Sequence, residues 1–198
     1  GIDICIGPGE IYFGSREIDM DNYPSWNSID LETLGETNQE VMSTRGCPYN
    51  CDFCHNTERS ISFFSEYRTA DNIEMIFSRG QNMAFIVDDV FTLKPSRMEA
   101  IFMELKRRDI QIENRNRFFS HIRHINDKTL YWMKVYKPYT IYIGIESGDN
   151  RMLANLGKTF ERDEAFDKIK LLHENGLSVT ALFMIGFPGE NIESLENT

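Results

Sequence analysis

The chain has 198 residues, of which 41% are apolar, and 14 Phe and 8 Tyr can supply a core, so intrinsic disorder is excluded. Its 21 basic and 31 acidic residues give a net charge of −10, which repels phosphate backbones, so direct nucleic-acid binding is not expected. No apolar run approaches the roughly 18 residues of a membrane span and no signal peptide opens the chain, so we expect a cytoplasmic protein without membrane contact.

The first 39 residues differ from the rest of the chain. Residues 1–10 hold the apolar stretch Ile4-Cys5-Ile6 and a Gly-Pro-Gly turn, which predicts one strand left over from a preceding domain, with a buried Cys5 thiol. Residues 11–39 are acidic and turn-rich with few periodic apolar positions, which indicates a linker or wrapping segment. The chain begins without Met and ends in a polar segment, so we expect it to be cut from something longer.

Strand-like and helix-like segments alternate from residue 40 to residue 198. Several strand candidates are apolar at consecutive positions, as expected of parallel strands covered on both faces. This alternation predicts an α/β fold, either an open doubly wound sheet or an arc of a (β/α) barrel, with functional groups at the carboxyl ends of the strands. The five predicted strands are residues 40–44, 83–88, 117–122, 140–145 and 178–185.

Four helices are predicted between these strands from apolar residues spaced three and four apart. The first covers residues 71–79, the second follows Pro95, the third is capped by Asn126, and the fourth follows Thr159 and stops near Gly176. The supporting apolar positions are Ile73, Ile76 and Phe77; Met98, Ile101, Phe102 and Leu105; Leu130 and Met133; and Ala165, Phe166, Ile169 and Leu172.

Three cysteines, Cys47, Cys51 and Cys54, follow the first strand of this domain in one short segment. Without a secretory signal, such a group indicates metal binding more than disulfides. The C-x-x-C-H of haem attachment is present but leaves Cys47 unused, and a zinc site would need His55 as its fourth ligand. Three thiolates on a four-iron cluster leave one iron open to substrate, and this third interpretation is favoured.

The cysteine segment resembles the cluster loop of the radical S-adenosylmethionine (SAM) superfamily, C-x3-C-x-aromatic-C, with Phe53 at the aromatic position. Three further segments resemble motifs of this superfamily, and each falls at the end of a predicted strand. They are residues 83–92 with Asp88 and Asp89, which are similar to cobalamin-type members, residues 143–148 with Glu146, and residues 183–190 with Gly186.

This resemblance implies a partial, TIM-like (β/α)6 barrel over residues 40–198, incomplete before its last strand. It implies that the three cysteines hold a [4Fe-4S] cluster whose open iron binds SAM, and that one electron cleaves SAM to methionine and a 5′-deoxyadenosyl radical. A flavodoxin- or ferredoxin-type protein is the expected reductant. The residues that the resemblance assigns to the SAM pocket are Phe53, Asp88, Asp89, Glu146 and Gly186.

The reaction is less defined than the cofactors. Residues 4–10 resemble the end of an upstream cobalamin-binding domain, with Pro8 in place of an acidic residue, so cobalamin use is implied by the family pattern alone. The predicted activity is that of an iron–sulfur oxidoreductase or a cobalamin-type methyltransferase, with a methylthiotransferase as the alternative. Outside the radical SAM enzymes, a non-enzymatic Cys₃His zinc-binding interaction module remains as the alternative. His121 and His124 are expected to be hydrogen-bonded or exposed rather than to line the pocket.

Overall fold

The computed structural model of the protein describes residues 4–7, 10–13, 20–22, 39–55 and 59–198. The strands are β1 (Ile4–Gly7), β2 (Glu10–Phe13), β3 (Glu40–Val41), β4 (Thr44–Arg45), β5 (Ser62–Phe63), β6 (Ala84–Ile86), β7 (Asn116–Ser120), β8 (Thr140–Glu146) and β9 (Val179–Phe183). The helices are α1 (Glu66–Ser78), α2 (Pro95–Arg107), α3 (Asp127–Tyr136), α4 (Asn150–Asn155), α5 (Arg162–Glu174) and α6 (Ile192–Glu196), with short 3-10 turns at Met20–Asn22, Phe91–Leu93 and Ile122–His124.

A five-stranded parallel sheet organises the chain, and its strands lie in the order β3-β6-β7-β8-β9. Each strand pairs with the next one of this set along the chain, and helices fill the connections. A doubly wound sheet would reverse its order at a switch point, whereas this sheet extends in one direction only. The predicted α/β fold is therefore confirmed in its barrel form, as an arc of a TIM-like barrel.

Two small antiparallel hairpins accompany the sheet. Strands β4 and β5 pair Thr44 with Phe63 and Arg45 with Ser62, and so close the base of the cysteine segment. Strands β1 and β2 pair Cys5 with Tyr12. Strand β2 crosses the boundary that the sequence analysis placed between residues 10 and 11. The sequence did not reveal this strand, because four residues are too few to show an alternation of apolar and polar positions. The rest of the predicted linker, apart from Met20–Asn22 and Gln39, lies outside the described residues.

The core lies between the sheet and helices α1 to α5. Alternate residues of β7 are buried, and Phe118 packs against Phe91 at 5.0 Å between ring centroids. Tyr136 is fully buried in the same cluster, and its hydroxyl donates to the carbonyl of Met98 at 2.8 Å. These contacts fix helices α2 and α3 on one face of the sheet, so the strand ends are held rigidly. None of the helices in the described part of the chain is long and apolar enough to cross a membrane.

The predicted helices are all present, with two differences in detail. Helix α1 begins before residue 71, because the Ser65 side chain accepts the backbone N–H of Arg68 and caps it earlier. In α5, Ala165 and Leu172 are buried as expected, but Phe166 is 66% exposed. Phe166 lies about 100° round the helix from Ala165, outside the face that packs on the sheet, so its assignment to the buried stripe was wrong.

Candidate functional site

The three neighbouring cysteines lie on one loop between β4 and β5. Their thiols are free and half-buried, and the backbone N–H of Cys54 donates to the carbonyl of Cys51 at 3.0 Å. Burial raises the pKa of the Cys47 thiol, and the charges of Asp89, Cys51 and Cys54 raise it further. The loop therefore carries three soft sulfur donors next to the carboxyl ends of the strands.

The donor set can be compared with the metal groups that sequence reasoning proposed. Among the described residues, no three His, Cys, Asp or Glu side chains are grouped so that they could hold a single metal ion. His55, the fourth ligand that a zinc site would need, is exposed. A four-iron cluster does not need such a grouping, because each cysteine binds a different iron. The thiol loop therefore fits a cluster better than one zinc ion.

The aromatic residue of the loop contacts the turn after β9. The ring of Phe53 lies 5.5 Å from that of Phe187, and the ammonium of Lys158 lies 5.4 Å from the Phe53 ring centroid. In the same turn, Gly186 has φ +98°, and no atom lies within 4 Å of the position of a Cβ. Its N–H donates to a carboxylate oxygen of Glu190 at 2.6 Å. Two of the predicted SAM-pocket residues, Phe53 and Gly186, thus come together at one edge of the loop.

Glu146 ends strand β8 in an unusual conformation and is buried. Its φ is +71°, which is rare for a residue with a side chain and is typical of strained functional positions. Its Oε1 accepts from Nζ of Lys158 at 3.1 Å, and the same Nζ donates to the carbonyl of Gly144 at 3.1 Å. A Cβ on Gly144 would collide with Glu146 Oε1 in its present position, so a side chain there would require this carboxylate to shift.

Lys158 is a site residue that sequence reasoning missed. Its side chain is only 5% exposed, and its charge lowers the pKa of Cys51, against the larger upward effect of burial. A buried ammonium beside the thiols is the natural partner for an anionic group bound there. The available signal was a lysine after Gly157 between the apolar residues Leu156 and Phe160.

The two aspartates after β6 lie on different sides of the loop. Asp88 is 1% exposed, and its carboxylate accepts hydrogen bonds from Ser43 and Thr44, behind the loop. Asp89 is exposed, and its charge acts on the Cys47 thiol. Asp89 thus lies on the thiol side, and its assignment to the SAM pocket stays a prediction. Both oxygens of Asp88 are already bonded to protein groups, which does not favour a contact with SAM. The contact of Asp88 with SAM stays a prediction.

His121 stacks on the cysteine loop, where it is buried and hydrogen-bonded through one of its two ring nitrogens. It is 8% exposed, and its ring lies 3.8 Å from that of Tyr49 at an angle of 13°. Nδ1 accepts the N–H of Arg123, while Nε2, like that of His124, is buried without a partner among the described residues. Burial, together with the nearby Lys158, lowers the pKa of His121 to about 3, so its ring is neutral.

The connection between α4 and α5 supports the loop from another side. The N–H of Asp52 donates to the carbonyl of Leu156 at 3.1 Å. At Gly157, with φ +70°, a Cβ would lie 2.6 Å from the carbonyl oxygen of Asn50. The loop is therefore in direct backbone contact with this connection.

Comparison with known proteins gives a family match. Residues 41–198 match the family model described as the radical SAM superfamily. An uncharacterized methyltransferase of Pyrococcus horikoshii is 31% identical over 166 residues, which are 80% of this chain and 35% of that protein. A putative methylthiotransferase of Methanocaldococcus jannaschii is 23% identical over 82% of this chain and 38% of its own length.

Two solved structures share the fold. The cobalamin-dependent SAM radical enzyme OxsB, with aqua-cobalamin bound, has a TM-score of 0.78 at 18% identity, over 96% of this chain and 30% of its own. The radical SAM methyltransferase TsrM of Kitasatospora setae, with cobalamin and a [4Fe-4S] cluster bound, has a TM-score of 0.65 at 17% identity, over 78% and 32%. The chain spans roughly a third of the length of these relatives.

Proposed function

The chain belongs to the radical SAM superfamily, and we propose that it is the catalytic core of a radical SAM enzyme. The cofactors predicted from the resemblance, a [4Fe-4S] cluster and SAM, are those of this superfamily. In this proposal Cys47, Cys51 and Cys54 hold the cluster. The observation that carries it is the convergence of the thiol loop with the ends of four strands, through Asp89, His121, Lys158 with Glu146, and Phe187.

Each group around the thiols has a chemical task in this proposal. When bound and reduced, the cluster supplies the electron that cleaves a sulfonium carbon–sulfur bond of SAM. The buried ammonium of Lys158 can pair with the SAM carboxylate, and Glu146 can accept from an amino or hydroxyl group. The open backbone at Gly186 lets a flat ring approach closely. The rings of Phe53 and Phe187 exclude water from the cluster.

Several observations support methyl transfer with cobalamin as the finer activity. The relative from Pyrococcus horikoshii is called a methyltransferase, and OxsB and TsrM, which share the fold, contain cobalamin. Iron–sulfur oxidoreduction is the second possibility within the same core. The relative from Methanocaldococcus jannaschii supports a methylthiotransferase as the alternative. In each case we propose a flavodoxin- or ferredoxin-type protein as the electron donor.

Electron paramagnetic resonance of the anaerobically reconstituted, dithionite-reduced chain, with and without SAM, tests the core activity. We expect a four-iron signal that changes when SAM is added, and SAM cleavage that is lost in Cys51→Ala. Cys5→Ala is the matched control, because Cys5 lies in strand β1 outside the loop, and it should keep both properties.

Three results would contradict the proposal. They are SAM cleavage retained in Cys51→Ala, a cluster signal that is indifferent to SAM, and about one zinc ion per chain without iron or sulfide. The last result would favour the interaction module instead.

A further inference from the structure

The peptide that leads into the cysteine loop is held on its inner side by Asp88. Asp88 Oδ1 accepts the backbone N–H groups of Ser43 at 2.6 Å and Thr44 at 2.9 Å, and Oδ2 accepts the Ser43 hydroxyl at 2.5 Å. Ser43 is fully buried. One carboxylate thus satisfies three donors at the point where the chain leaves the parallel sheet after β3 and enters β4.

The other side of the same peptide is held by Arg97 from helix α2. Its Nη2 donates to the carbonyl of Ser43 at 2.7 Å and to Oγ1 of Thr69 on α1 at 3.3 Å. Its guanidinium also lies 5.1 Å from the ring centroid of Phe63 on β5. Arg97 therefore connects two helices and the closing strand of the loop to the peptide that Asp88 holds.

The position of this peptide sets where the loop begins. Ser43 and Thr44 lead directly through Arg45 and Gly46 to Cys47, and the β4–β5 pairing starts at Thr44. Asp88 itself is fixed by the sheet, because the N–H of Val87 donates to the carbonyl of Val41 at 2.9 Å. A change at Asp88 is therefore transmitted along a short stretch of backbone to the first thiol.

We propose that Asp88 and Arg97 are positioning residues for the cluster, which act through Ser43 on Cys47, and that Asp88 is not a ligand of SAM. This inference rests on the proposed function. It replaces the role that the sequence resemblance gave to Asp88, because both carboxylate oxygens are bonded to the loop backbone and to Ser43.

The test uses Asp88→Asn and Ser43→Ala in the full chain reconstituted with its cluster. Asp88→Asn removes the negative charge and puts an amide donor in place of the Oδ2 acceptor, and Ser43→Ala removes the hydroxyl that donates to it. The midpoint potential and the resonance spectrum are measured without SAM, and SAM affinity is then determined by titration. We expect both variants to shift the potential and the spectrum before SAM is present. The double variant should shift them by less than the sum of the two single changes, because both substitutions act on the same contact. Asp167→Asn removes an exposed carboxylate on α5, away from the cysteine loop, and should leave the SAM-free spectrum unchanged.

A direct contact between Asp88 and SAM gives the opposite pattern. In that case Asp88→Asn would leave the SAM-free spectrum intact and weaken SAM binding by the roughly tenfold or more expected from a lost charged hydrogen bond, which would overturn the inference. Should Asp88→Asn fail to fold, Ser43→Ala and Arg97→Lys decide by the same SAM-free readout, and unchanged spectra in both refute the positioning role. Absence of a cluster in the unaltered chain would instead refute the proposed function, and with it this inference.

Discussion

A single methyl group added at Gly157 would press directly on the cysteine loop. Its Cβ would lie 2.6 Å from the carbonyl oxygen of Asn50, beside the hydrogen bond between Asp52 and Leu156. Gly176, at the end of α5, has a similar φ of +74°, but no atom lies within 4 Å of its Cβ position. Gly157→Ala and Gly176→Ala therefore both lose stability by placing an alanine in the left-handed region of the backbone. Only Gly157→Ala also collides with the cysteine loop.

The expected losses in the free energy of unfolding follow from the backbone conformation and from the collision with the loop. An alanine in the left-handed region costs about 1–2 kcal/mol, and part of this is offset by the lower entropy of the unfolded chain, so Gly176→Ala should lose about 1 kcal/mol. In Gly157→Ala the Asn50 carbonyl must also move away. The neighbouring hydrogen bond between Asp52 and Leu156 is then lost at about 1 kcal/mol, for a total near 2–3 kcal/mol.

Urea denaturation measures both free energies of unfolding, and iron content with the resonance spectrum reports on the loop. We expect Gly176→Ala to keep a normal cluster and Gly157→Ala to bind less iron or to give an altered spectrum. Equal losses of stability in the two variants, or an unchanged cluster in Gly157→Ala, would refute the conclusion that this glycine supports the loop.

Two further predictions concern the buried titratable side chains of the site, Lys158 and His121. Lys158→Met leaves the Glu146 carboxylate buried without its partner, so we expect a loss of about 3–5 kcal/mol in urea denaturation at pH 7, and Lys158→Arg should recover much of it; equal stabilities of the two variants would contradict this. The pKa of His121 is about 3 when folded against 6.5 when exposed, so the unfolded chain binds more protons between these values. Stability is then full above pH 6.5 and falls with acidification, by about 2 kcal/mol from pH 7 to pH 5. In His121→Phe this contribution should be absent, and an unchanged pH slope would show that His121 does not cause it.

Much of the fold was predictable because the parallel strands are apolar segments that alternate along the sequence with helices of clear apolar periodicity. The five predicted strands all occur, and Asn126 caps α3 together with Thr129 as expected. The elements that were missed include short ones: β4 and β5 have two residues each, α4 has six and α6 has five. Pairing or docking against distant residues stabilises such elements, so local periodicity does not reveal them.

The residues of the candidate site likewise divide into those that the sequence could indicate and those that it could not. The thiols and Glu146 could be proposed from the sequence because their motifs are local, and their roles stay predictions. Lys158 was not, because its burial depends on how the α4–α5 connection folds back over β8. For Asp88, the sequence gives the strand end but not the direction of the carboxylate, which turns behind the loop because the donors of Ser43 lie there.

The residues that pack against the cysteine loop lie far behind it in the sequence, and this affects when the loop can fold during synthesis. The loop contacts His121, Gly157 and Phe187, which all follow it at long range. At about 5–20 residues per second, the roughly 130 residues between Phe53 and Phe187 take on the order of ten seconds to leave the ribosome. During that interval the nascent thiols lack their folded surroundings and are accessible to oxidants. With the proposed function, we therefore expect iron and sulfide delivery to be a late step, which depends on keeping these cysteines reduced until the distant strands have closed around them.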